Sequence, residues 1–273
     1  MGIRIVATAL VLVGGFAEVA AAQSPTLREA QRLFYSARYE AAAALADSLS
    51  PSDAEALAAS ELRSSALLFQ IRRAFGNPAD KALALKSCGR CRELTAAFLA
   101  ELAHGKSIAR ARLQADPADE AALFYLGKLN LNYVWLQAGT FGRKTGLSEY
   151  REARRSLETV LAQNPEHVRA KVARAWIDYI VDTKMPRGAK WILGGGDKKR
   201  GLLALQQAAG SSADPFSQAE AAFALWDMQV REKNLPAAIA TAQGLSRDFP
   251  DNHELAKFLE HYDPSARAVV ASR

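Results

Sequence analysis

One short pattern returns along the 273-residue chain: an Asp, Asn or Phe followed by Pro, then polar residues, then apolar residues at helical spacing. It appears at Asp116-Pro117-Ala118-Asp119, at Asn164-Pro165-Glu166-His167, at Asp214-Pro215 and at Phe249-Pro250-Asp251-Asn252. A Pro has no amide to donate and keeps the preceding residue out of the helical region, so each occurrence closes one helix. The acid or amide beside it caps the next, as Asp119 does ahead of Glu120 to Gly127. Such repetition predicts a chain of helical hairpins. No stretch alternates polar and apolar residues as a half-buried strand would, so the fold class is all-α.

These marks resemble those of tetratricopeptide repeat proteins, whose units of about 34 residues carry small residues where their two helices meet and a Pro at the end. Leu126-Gly127 matches the first-helix mark, Ala153 and Ala238 match the second-helix mark, and Pro117, Pro165 and Pro250 match the terminal one. The resemblance runs from about Glu93 to His261 and returns more loosely in Leu27 to Ser50, where Ala37 to Ala42 resembles the inter-helix turn. Trp226 stands where a small residue is expected, and Arg174-Ala175 replaces Leu-Gly. The resemblance implies a solenoid of antiparallel hairpins over residues 23–262, in which each pair buries its apolar face only against the next. It also implies a groove lined by Phe124, Lys128, Leu131 and Asn132, then by Arg169, Val172, Trp176 and Tyr179. Lys128, Asn132, Trp176 and Tyr179 are its candidate contacts, set against the commoner burial of aromatic residues in a core.

Spacing adds something the family does not. Gly127 and Ala153 stand 26 residues apart, as do Ala175 and Gly201, about fourteen more than a plain repeat of about 34 residues leaves between those marks. Equivalent insertions in a solenoid emerge on one edge, so Ala138 to Gly146 and Thr183 to Gly196 are expected side by side. Both are glycine-bearing and basic. Arg143, Lys144, Lys184, Arg187, Lys190, Lys198, Lys199 and Arg200 form a candidate anion-binding edge, with Gly194-Gly195-Gly196-Asp197 leading into a helix start. The alternative is a tight loop capped by Asp197 beneath a solvated basic face. This loop contains no Gly-Lys-Ser/Thr, so it is not a nucleotide-binding P-loop. The run Trp191 to Leu202 resembles a loop of some bacterial envelope tetratricopeptide proteins and, more faintly, the tetratricopeptide component of some periplasmic solute-uptake systems. That similarity implies binding rather than chemistry.

Residues 1–22 read as a secretory signal: Arg4, an apolar run from Ile5 to Phe16, and Ala20-Ala21-Ala22 before Gln23. The apolar run is interrupted at Gly14, Gly15 and Glu18, short of the ~20 residues of a spanning helix. The expected compartment is the periplasm or the medium, with no stable membrane span after cleavage. Losing Arg4 and Glu18 leaves the net charge at +6, a surplus that suits acidic partners but lacks the basic stripe and stacking aromatics of a nucleic-acid binder. With 49% hydrophobic residues the chain is able to bury a sizeable core. Residues 263–273 are expected to be a frayed tail.

Cys88 and Cys91 are the only cysteines. In an oxidising compartment they are expected to form a structural disulfide, or else a passive pair at a helix start. A thioredoxin-like pair calls for a strand ahead of the helix, haem attachment calls for His where Arg92 stands, and zinc needs four ligands with only His104 nearby. Asp178 and Asp182, one turn apart, are read as solvated or base-paired acids. No nucleophile elbow, metal cluster or cofactor loop is found, so neither an enzyme, a metal nor a cofactor is expected. The function expected is an exported scaffold that binds a protein or peptide in the bacterial cell envelope. A small-anion-binding accessory of a periplasmic uptake system is the alternative.

Overall fold

The computed structural model describes residues 23–49, 55–184, 190, 193–211 and 213–263. The expected signal segment, Arg187 and residues 264–273 lie outside these, as does the side chain of Lys184. Among the described residues the protein is all-helical, with no strand. Its twelve α-helices are α1 (Pro25–Tyr35), α2 (Tyr39–Asp47), α3 (Ala56–Phe75), α4 (Lys81–Ser87), α5 (Gly89–Ala115), α6 (Glu120–Val134), α7 (Leu147–Gln163), α8 (Val168–Lys184), α9 (Lys198–Ala209), α10 (Pro215–Arg231), α11 (Leu235–Asp248) and α12 (His253–Tyr262).

The caps follow the sequence punctuation. Asp119 accepts from the Ala122 amide, Asp197 from Arg200, Asp214 from Phe216 and Ser217, and Asn252 from Glu254 and Leu255. Each satisfies donors that the first helical turn leaves unpaired. Apart from the short surface helix α4, each helix packs against the one that follows it, α3 doing so with α5. Alternate helices also meet, α1 with α3, α3 with α6, and α8 with α10.

Small residues set the closest approaches. A Cβ on Gly127 of α6 would lie 3.0 Å from Leu157 of α7, and one on Gly201 of α9 would lie 2.8 Å from the Ala175 carbonyl oxygen of α8. These are the helix pairs whose small-residue marks stand 26 apart. α5 runs unbroken from Gly89 to Ala115, straight through Gly105. No Pro interrupts that run, and Gly105 is a contact point, where a Cβ would lie 2.8 Å from Leu129 and 3.0 Å from Ser60.

The two insertions differ in form. The first prolongs α6 as a π-helical turn, Trp135–Thr140, after which Phe141 sets its ring edge-on to Phe75 of α3 at 5.3 Å. Of the second, residues 193–196 lie against α7 and α8. Tyr150 and Arg154 both donate to the Leu193 carbonyl, and a Cβ on Gly196 would meet the Asp178 carbonyl oxygen at 2.7 Å. Since the first insertion leads directly into α7, the described parts of both lie around the start of that helix.

The first and last hairpins touch. Tyr35 stacks on Phe223 at 5.5 Å and tilts onto Phe249 at 5.6 Å, while the Asn252 amide donates to the Tyr35 carbonyl at 2.7 Å. Beside them Tyr39 and Arg73 donate to Glu254. Asp263, expected at the start of a frayed tail, is instead buried and accepts from Gln243 at 2.8 Å. The close helix contacts make a sharp prediction: Gly201→Val should destabilise by about 1–3 kcal/mol through overpacking. Gly244→Ala, at a helical glycine with nothing nearer than 3.9 Å, should stabilise by about 0.5–1 kcal/mol. Urea denaturation of both variants checks the pair.

Candidate functional site

The inner faces of α1, α3, α6, α8 and α10 enclose a hollow of about 2210 Å³. Four charged side chains from four of these helices meet on its wall. Lys128 Nζ lies 2.5 Å from Glu220 and 3.6 Å from Glu61, and Arg169 lies 2.5 Å from Glu220 and 2.9 Å from Glu61. The result is a closed ring of alternating charge, Glu61, Lys128, Glu220, Arg169, joining α3, α6, α10 and α8. Burial alone pushes the Glu220 carboxyl up, but Arg169 and Lys128 outweigh it and hold it down at about 2. Burial likewise opposes the charge on Lys128, and its two glutamates more than restore it.

The ring extends into neutral groups. Ser65 donates to Glu61 at 2.9 Å, and the Asn132 amide donates to Ser64 and Ser65, both at 3.0 Å. Arg169 lies over the ring of Phe124 at 5.0 Å and that of Tyr125 at 5.9 Å.

Three of the four candidate groove residues are therefore committed internally. Lys128 belongs to the charge ring, and Asn132 is buried on the two serines. Tyr179 is buried with its hydroxyl on Glu232 at 2.8 Å, a bond that together with burial raises its phenol. Trp176 is half-buried along the hollow, edge-on to Trp135 at 6.2 Å and beneath Arg231 at 5.6 Å. Tyr179 lies in the core cluster with Leu205 and Met228, away from the hollow, whereas Lys128 is held by acids from the helices that face it across the hollow.

The expected basic edge divides in the same way. Lys190 pairs with Asp182 at 2.7 Å, Lys198 with Glu232 at 2.6 Å, and Arg200 with Asp178 at 3.0 Å, so Asp178 and Asp182 are base-paired acids. Lys199 is exposed on α9. Arg143 and Lys144 join a different group, at the end of the hollow where α3 and α6 terminate. There Arg72 and Lys81 share the lining with them. Lys81 donates to the Gly139 carbonyl, Arg72 lies over Phe69, and Arg143 lies over Phe141 and bonds Gln137. Among the described residues none of these four bases lies within ion-pair distance of a carboxylate, whereas Arg73 and Arg231 at the same end pair with Glu254 and Asp227.

Glu61, Glu220, Arg72 and Lys81 were not apparent as site residues in the sequence. Glu61 and Glu220 had a signal, each being an acid inside an alanine-rich helical run. Arg72 and Lys81 had none, since only folding brings them to Arg143. The cysteines are disulfide-bonded, Cys88 to Cys91. No set of three His, Cys, Asp or Glu able to hold a metal occurs among the described residues, and no described helix is long and apolar enough to cross a membrane. In comparisons with known proteins, no family model, curated protein or solved structure matches the chain.

Because the Glu220 carboxyl sits near 2 when folded and its ordinary value is 4.5, the ring's stabilisation is fully present above about pH 4.5. It is lost as pH falls from there toward 2. Melting temperature followed between pH 6 and 2.5 should drop steeply below 4.5, and Glu220→Gln should flatten that drop while lowering stability at pH 6.

Proposed function

We propose that this chain is an exported binding scaffold of the tetratricopeptide type, a solenoid of helical hairpins whose hollow holds an acidic peptide or protein segment in the bacterial cell envelope. The observation that carries the reading is the hollow with its basic end. At about 2210 Å³ it is larger than the roughly 300–1,000 Å³ usual for a small-molecule site. Arg72, Lys81, Arg143 and Lys144 gather there without acid partners among the described residues.

Their placement argues for an external anion. Arg72 stands in the last turn of α3, where the helix dipole accepts a base. Arg143 and Lys144 stand on a loop, and Lys81 opens α4, where the dipole opposes a positive charge. Helix ends therefore do not call for three of the four. Phe69, Trp135 and Trp176 line the same hollow, offering apolar contact to a chain that presents carboxylates to the bases.

A smaller anionic solute is the second reading, favoured by the contact of the first and last hairpins, which closes the hollow along one side. Fluorescence anisotropy with a labelled acidic peptide of about a dozen residues, beside thermal shift with small mono- and dicarboxylates, separates the two. The scaffold reading predicts peptide binding that weakens steeply with salt. It also predicts at least about a tenfold loss when Arg72, Lys81, Arg143 and Lys144 are all changed to Glu. Stabilisation by the small anions alone supports the second reading, and peptide affinity untouched by the fourfold reversal overturns the basic-end account.

A further inference from the structure

We infer that Cys88 and Cys91 form a redox-active pair that exchanges its disulfide with thiols of a polypeptide partner. The bond joins the C-cap of α4 to the first turn of α5, residues only 3 apart in the chain, and so fastens no two distant parts of the fold. A ring this short removes little unfolded-chain entropy, which makes it a poor staple.

Its surroundings suit exchange. Cys91 is wholly buried, in the same core cluster as Phe98 and Leu102, whereas Cys88 is only partly buried. Approach is thus one-sided: an incoming thiol reaches the sulfur of Cys88. Cys88 is also the N-cap of the 27-residue helix α5, and its sulfur accepts the Cys91 amide at 3.3 Å. An N-terminal amide and the positive end of a long helix stabilise a thiolate there. Lys86, Arg90 and Arg92 flank the pair in sequence against Glu93, and Arg90 reaches Glu40 of α2 at 3.4 Å. A strand ahead of the helix is one way to present such a pair, and here α4 delivers Cys88 to the helix start without one. Beside it Leu83 of α4 is 64% exposed, an apolar foothold for an unfolded or flexible chain.

The exchange balances as follows. A partner thiolate attacks the Cys88 sulfur, the bond between Cys88 and Cys91 breaks, and Cys91 departs with the electron pair and takes up a proton. A second thiol of the same partner, giving up its proton, attacks the partner sulfur of the mixed disulfide. Cys88 then leaves as a thiolate at the helix start. The partner dithiol has lost two electrons and become a disulfide, and the cysteine pair has gained them.

The test uses the oxidised full chain, a synthetic peptide bearing two cysteines as the thiol partner, and the linear peptide Cys-Gly-Arg-Cys in its disulfide form as reference. The full chain should oxidise the dithiol peptide at least about tenfold faster than the reference does. In the reduced protein, iodoacetamide at pH 7 should modify Cys88 with Cys91 protected, and the Cys88 thiolate should titrate clearly below the ordinary ~8.5. In a Cys91→Ala chain given the same peptide in its disulfide form, the Cys88 thiolate should attack that disulfide, releasing one peptide thiol, and the mixed disulfide should accumulate on Cys88 because no Cys91 thiol resolves it. A rate equal to that of the linear reference, or a Cys88 thiol titrating at its ordinary value, would overturn the assignment. Peptide binding in the hollow bears on neither result.

Discussion

Four charges that cannot be left unpaired hold the inner wall together. Glu61, Lys128, Arg169 and Glu220 come from α3, α6, α8 and α10, and each base touches both acids. Bringing them out of water costs several kcal/mol per ion, and the mutual attraction offsets that cost only when all four are in place. Removing one leaves a buried excess charge, so the arrangement penalises any register of the four helices except the one observed. Apolar packing between successive hairpins is less discriminating, because a shift of one turn brings one apolar side chain in place of another.

From this constraint the rest of the interior follows. With the inner faces drawn together at the ring, Asn132, Ser64 and Ser65 become internal partners of Glu61, and Tyr35 of the first hairpin is brought against Phe223 and Phe249 near the other end of the chain. Where α3, α6 and α10 end, Trp135, Trp176 and the four bases that have no acid partner among the described residues line the hollow.

The helices and their ends were legible because their signals are local. A Pro, a capping acid and a small residue at a helix crossing each act within a few residues, and α6, α10 and α12 begin directly after Asp119, Asp214 and Asn252, the capping residues of the punctuation. The unbroken course of α5 was not legible, because Gly105 looks the same whether it ends a helix or admits Leu129 and Ser60. The site was harder still. Lys128 was found as an inward-facing residue and Arg143 and Lys144 as part of a basic loop, but whether a base is free or paired depends on residues far away in the chain. Lys198 and Arg200 find Glu232 and Asp178, while among the described residues Arg143 finds Gln137 and Phe141. No spacing rule encodes that difference.

The charge ring is tested most directly by a double-mutant cycle on its longest sequence span, Glu61 on α3 and Arg169 on α8. Stability of the chain is measured by urea denaturation for Glu61→Gln, Arg169→Met and the double variant. A coupling energy of about 1–3 kcal/mol, with the double variant losing less than the sum of the singles, is the predicted result. Additive losses would contradict the account, because the two side chains would then be acting as independent surface groups.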